Sequence, residues 1–172
     1  MKELVEDLLL LARLDEGQPL EHEPVELAEL AAEAVDTARA LDPTRPLDLQ
    51  VQPATVLGDR ARLRRVLDNL LGNVRSHTPP DTPAHVRVTT LNGSAVLEVS
   101  DEGPGLGDED MARVFERFYR ADSSRARASG GVGLGLSIVA AIADAHHGRV
   151  SVAPRPEGGA TFRVELPLAP PR

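Results

Sequence analysis

Residues 130–138 read GGVGLGLSI, with glycines at 130, 131, 133 and 135 leading into Leu136, Ser137 and Ile138. From Val139 to Ala145 apolar residues continue at helical spacing. Glycines ending at a helix start let the backbone approach a ligand and present unpaired N–H groups to an anion, for which phosphate is the expected partner. No Lys-Ser/Thr follows, as a P-loop requires, and the spacing is not G-x-G-x-x-G after a strand. Alone, the stretch reads equally well as a flexible loop ahead of a helix. The residues upstream give it meaning.

Asp59 is placed to cap a helix running to about Ser76, with Leu63, Val66, Leu67, Leu70 and Leu71 turned inward. That helix carries Asn69 and Asn73, an i, i+4 pair on one face, although a single buried carboxamide need do no more than bond to backbone. Strands Val86–Leu91 and Ala95–Ser100 flank Asn92-Gly93, a hairpin signal. The second strand runs into Asp101-Glu102-Gly103-Pro104-Gly105-Leu106, where Asp101 is either a ligand-facing carboxylate or the start of an Asx-type turn.

The remaining chain supplies a scaffold. A strand at residues 20–26, a helix at 27–40, strands at 47–51 and 55–57, a helical piece at 109–118 and closing strands at 149–152 and 160–166 give an α+β order. The expected architecture is a two-layer α/β sandwich whose mixed, mostly antiparallel sheet is covered on one face by helices. The 172 residues suffice for a core, which with 2% aromatics must be built from Leu, Val, Ala and Ile. A net charge of -8 excludes a general nucleic-acid binder, and the absence of Cys excludes disulfides and thiolate metal sites. No apolar run reaches the roughly 20 residues that cross a bilayer. Residues 119–131, YRADSSRARASGG, are charged, small and unpatterned, and are expected to be mobile.

Together these elements resemble the nucleotide-binding domain of sensor histidine kinases, within the ATPase superfamily that includes gyrase, Hsp90 and MutL. DRARLRRVLDNLLGNVRSHTP at 59–79 is similar to the asparagine box, DEGPGL at 101–106 to the first glycine box, FERFYR at 115–120 to the phenylalanine box and GGVGLGLS at 130–137 to the second glycine box. Gly158, Gly159 and Thr161 in EGGATFRVELP resemble the last motif. The resemblance implies a Bergerat-type fold that binds ATP and Mg2+. Asp101 would accept a hydrogen bond from the adenine amino group, and Asn73 with Asn69 would hold Mg2+. His77 and Thr161 would lie beside the nucleotide, and Gly103 and Gly105 would turn the loop close to it. Gly131, Gly133 and Gly135 would bring N–H groups to the phosphates, with Leu134 and Leu136 anchoring the helix. Tyr119 to Gly130 would form a lid, attached by Phe115 and Phe118, with Arg120 approaching the γ-phosphate. Ser76 stands where the family often has Lys or Arg. Arg75 replaces that cation only if the helix end unwinds.

Asn69 also bears on reaction type. Hydrolysing relatives place Glu there, and a neutral amide is a poor general base, so transfer to an imidazole is favoured over hydrolysis. A nucleotide-switched regulatory module and a gyrase- or Hsp90-like ATPase are the alternatives. Residues 1–17 fit the end of the second helix of a dimerisation domain, coiled-coil-like and cut at residue 1, in preference to an apolar helix that only packs on the following domain. Residues 18–168 would be the catalytic domain and 169–172 a tail. The phosphoacceptor His would precede residue 1. His22, His85, His146 and His147 read as structural or solvent-facing. By resemblance the partners are the dimerisation domain and a response regulator, not nucleic acid. The parent would be a membrane-anchored homodimer. This piece would be a cytoplasmic monomer, or self-associate weakly through Leu4, Leu8 and Leu11.

Overall fold

The computed structural model describes residues 1–121 and 131–172. Its elements are α1 (Lys2–Asp15), β1 (Glu23–Glu26), α2 (Leu27–Leu41), β2 (Leu47–Val51), β3 (Thr55–Gly58), α3 (Arg60–His77), β4 (Ala84–Leu91), β5 (Ser94–Asp101), α4 (Asp108–Arg113), α5 (Gly135–Ala145), β6 (Arg149–Pro154) and β7 (Ala160–Pro167). One sheet has the order β2-β4-β5-β7-β6, parallel only between β2 and β4. A second, two-stranded antiparallel sheet pairs β1 with β3 and joins the chain just beyond β7 through a bridge between Val56 and Leu168.

Alternation along the strands makes the two layers. Ala84, Val86 and Val88 of β4, Val99 of β5, and Phe162, Val164 and Leu166 of β7 are buried with Leu30 and Val35 of α2, Leu67 and Leu70 of α3, and Ile138 and Ile142 of α5. The opposite face carries charged side chains paired within β7 and across to β6 and β5. Arg149 contacts Glu165 at 2.7 Å, and Arg163 stands 3.0 Å from Glu165 and 3.6 Å from Glu98.

Local signals act as their chemistry requires. The Asp59 carboxylate accepts the Arg62 N–H at 3.1 Å and so starts α3. Asn92 and Gly93 have φ of 51° and 81°, the paired positive values of a type I′ hairpin. Glu26 caps α2 through Ala28 N–H (3.1 Å) and also accepts from Ala54 N–H (2.7 Å) and the Thr55 hydroxyl (2.9 Å). Burial works to raise its pKa, but these donors together hold it below the ordinary carboxylate value.

Three expectations need correction. The helical piece after Gly107 ends at Arg113 rather than near Phe118; beyond it the chain continues as i→i+3 turns (Glu116 N–H to the Arg113 carbonyl at 2.9 Å), and Phe118 takes φ +63° and donates its N–H to the Gly133 carbonyl at 2.9 Å. Phe118 itself is 59% exposed, so Phe115 alone inserts its ring, edge-on to Phe162 with centroids 6.2 Å apart. On α1, Leu10 and Leu11 enter the core and Leu4 and Leu14 are partly buried against it, so of the leucines expected to self-associate Leu11 lies inside the core; Val5, Leu8 and Leu9 form the exposed stripe.

His146 does not use the positive charge that a helix C-terminus favours. Its buried ring donates Nδ1–H to the Ile142 carbonyl at 2.7 Å, while Nε2 accepts the Asp59 N–H at 3.0 Å, clipping α5 to the start of α3. Burial lowers its pKa below 6.5, only partly opposed by the Ile142 carbonyl and Asp59. The unfolded chain therefore binds the proton more readily. The ring's stabilisation is complete above the ordinary value and is lost as pH falls through the depressed one. Urea midpoints measured from about pH 7.5 to about pH 5.5 are expected to fall more steeply for the wild type than for His146→Gln.

Candidate functional site

A cleft of about 730 Å³ opens between α3, the end of β5 and the start of α5. α3 is positioned by its leucine face, and its next face presents Asn69, Asn73, Ser76 and His77 to the cleft. The Asn69 amide nitrogen donates to the Gly135 carbonyl at 3.1 Å. Its carboxamide oxygen is thereby the atom left for a cation. A pair of neutral amide oxygens suits a hard ion that arrives with phosphates rather than one held by protein alone. Among the described residues no group of three or more His, Cys, Asp or Glu side chains is arranged to hold a metal.

Asp101 closes β5 and borders the cleft, 6% exposed. Its Oδ1 accepts the Gly103 N–H at 2.9 Å, so it makes the Asx-type turn while facing the cleft. The glycines behind it are fixed by contact. A Cβ on Gly159, at φ +95°, would meet the Asp101 carbonyl oxygen at 1.8 Å, and one on Gly105, at φ +76°, would meet the Gly159 carbonyl at 3.1 Å. Gly105 borders the cleft, whereas Gly103 sits behind Asp101.

Tyr119, Arg120, Gly131, Gly133, Leu134, Gly135 and Leu136 border the cleft as well. Among the described residues nothing stands within 4 Å of a Cβ built on Gly131 or Gly135, and both glycines border the cleft. Gly133 is used differently: at φ +80° it packs on the backbone of Phe118 and Tyr119. α5 starts at Gly135 with no side-chain cap, so its first N–H groups are open to an anion. Leu134 is buried and Leu136 packs against the core.

The Tyr119 hydroxyl donates to Asp110, which holds the phenol above its usual pKa, and the Arg113 guanidinium lies 4.6 Å over the ring. Residues 122–130 of the expected lid lie outside the described residues.

Residues 58–170 match the family described as Histidine kinase-, DNA gyrase B-, and HSP90-like ATPase. The chain belongs to this family. The probable sensor histidine kinase TcrY of Mycobacterium tuberculosis is 48% identical over 167 residues, which cover 96% of this chain and 35% of TcrY. The mycobacterial sensor histidine kinase MprB superposes with a TM-score of 0.76 at 30% identity, over 87% of this chain and 99% of that one. Full-length ShkA, solved in complex with AMPPNP, gives a TM-score of 0.81 at 30% identity, over 98% of this chain and 36% of that one. The chain spans about a third of the length of the curated relatives it matches.

Within this family's fold, two expected features differ. Alternation along β7 turns Thr161 away from the cleft, which Ala160 and Phe162 line in its place. α3 runs unbroken to His77, so its end does not unwind, yet Arg75 reaches the cleft rim beside Ser76. Sequence reasoning also missed Glu3, Leu4 and Asp7 of α1, which border the cleft. Asp7 pairs with Arg65 and Asp15 with Arg117 at 2.8 Å, so α1 is tied to α3 and to the segment after α4. No pattern within α1 encodes those partners. No helix among the described residues is long and apolar enough to cross a membrane.

Proposed function

We propose that this chain is the ATP-binding catalytic domain of a sensor histidine kinase, transferring the γ-phosphoryl group of Mg-ATP to a histidine on a dimerisation domain. The observation that carries this reading is the convergence of Asn69, Asn73, Asp101 and the uncapped N-terminus of α5 on one cleft. Asp101 would accept from the adenine amino group and so reject a base bearing a carbonyl there. The N–H groups at Gly131 and Gly135 would take the phosphates, while Gly133 packs on the backbone of Phe118 and Tyr119. His77 would flank the nucleotide. Arg120, beside the clamped Tyr119, would approach the γ-phosphate, and Arg75 at the rim would supply charge near Ser76.

Mg2+, when bound, neutralises and bridges phosphate oxygens, and the oxygens of Asn69 and Asn73 would hold it. The neutral Asn69 leaves water without a base at the position where hydrolysing relatives have Glu, and two of the three rim carboxylates of Glu3, Asp7 and Asp68 are paired, Asp7 with Arg65 and Asp68 with Arg64. A neutral imidazole needs positioning more than deprotonation, which fits transfer. The phosphoryl group would then pass to a response regulator. The parent would be a homodimer anchored in the cell membrane with this domain on the cytoplasmic side.

Calorimetric titration is expected to show ATP binding that strengthens when Mg2+ is added. Binding that Mg2+ leaves unchanged would argue against the role of the asparagine pair.

A further inference from the structure

Arg45 belongs to none of the motifs above, yet its side chain is only 7% exposed and reaches three acceptors at short range. Its Nε–H donates to Asp42 at 2.7 Å, and Nη1 donates both to the Thr78 hydroxyl at 2.7 Å and to the Thr82 carbonyl at 2.8 Å. One guanidinium on the connection between α2 and β2 thus organises the turn between α3 and β4.

That turn backs onto Asp101. Thr78 donates its hydroxyl proton to the Val74 carbonyl at 2.7 Å while accepting from Arg45, which fixes its rotamer. The Thr78 methyl carbon then stands 2.7 Å from where a Gly103 side chain would begin, and the Gly103 N–H donates to Asp101 at 2.9 Å. The neighbouring Glu102 N–H donates to the Pro83 carbonyl at 3.0 Å, tying both turns together.

We propose that Arg45 is the positioning residue of the adenine pocket: through Thr78 it seats the Gly103 amide that orients the Asp101 carboxylate toward the base. This inference rests on the assignment of Asp101 to adenine. A planar fork serves these acceptors from one fixed position, whereas a lysine ammonium keeps the charge beside Asp42 but not the geometry.

The test compares ATP with inosine triphosphate, which carries a carbonyl in place of the 6-amino group, by calorimetric titration of the full chain. Arg45→Lys is expected to reduce the ATP-over-inosine preference about tenfold. Thr78→Ser, which keeps the hydroxyl but loses the methyl against Gly103, is expected to act in the same direction and serves if the arginine variant does not fold. A merely structural role would weaken both nucleotides equally and leave the ratio intact. Wild-type preference for ATP retained by folded variants overturns the role of Arg45 alone. A wild-type protein that binds neither nucleotide overturns the adenine assignment and this role with it.

Discussion

Asp101→Ala is expected to lower ATP affinity by at least about a hundredfold, since a site built to bond a particular polar group loses most when one side of that pair is missing. The fold should survive the change. Asp101 ends β5, whose backbone ladder to Ala84 of β4 does not involve the carboxylate, and only the Gly103 N–H loses an acceptor. One such bond is worth about 1 kcal/mol, a shift of a few degrees in thermal midpoint for a domain of this size. The measurement is ATP titration beside a thermal melt of the same sample. Equal ATP binding by wild type and variant would sink the assignment of Asp101 to adenine.

Gly159→Ala should have the opposite character: a loss of folding rather than of a contact. The added methyl would sit 1.8 Å from the Asp101 carbonyl oxygen, at a residue with φ +95°, so both sterics and backbone preference oppose it. Relief requires separating the start of β7 from the end of β5 inside the sheet. More than about 3 kcal/mol of stability is expected to go, read as a large drop in urea midpoint. Gly131→Ala is the control, because no described residue stands within 4 Å of where its Cβ would lie and the position borders the cleft. It should leave stability within about 1 kcal/mol while weakening nucleotide binding. Similar melting of the two variants would contradict the contact account of Gly159.

The candidate site was legible in the chain where chemistry depends on residue type at fixed spacing. Asn69 and Asn73 announce themselves as a polar pair on a leucine-rich helix, and Asp101 as a carboxylate between a strand and a glycine turn. The strands and helices follow from alternation and from punctuation such as Asp59 and Asn92-Gly93. Four features were not legible, each for a physical reason. Thr161 and Ala160 differ by one residue in a strand, and a one-residue shift exchanges the two faces of a sheet. Gly133 and Gly159 stand in glycine-rich motifs, but nothing in those motifs shows that their φ values of +80° and +95° and their close packing set them against the backbone of Phe118 and Asp101. Arg45 acts on Thr78 across 33 positions, a pairing that local pattern does not encode. The leucines of α1 gave a broad stripe with no mark of which half would meet α5.

The most direct test of the kinase reading is transfer of label from γ-labelled ATP to a phosphoacceptor helix hairpin supplied in trans. The account predicts acid-labile, base-stable label on the acceptor histidine, with little inorganic phosphate released when no acceptor is present. ATP binding without any transfer would contradict it in favour of a nucleotide-switched module, and steady phosphate release without acceptor would contradict it in favour of a hydrolase.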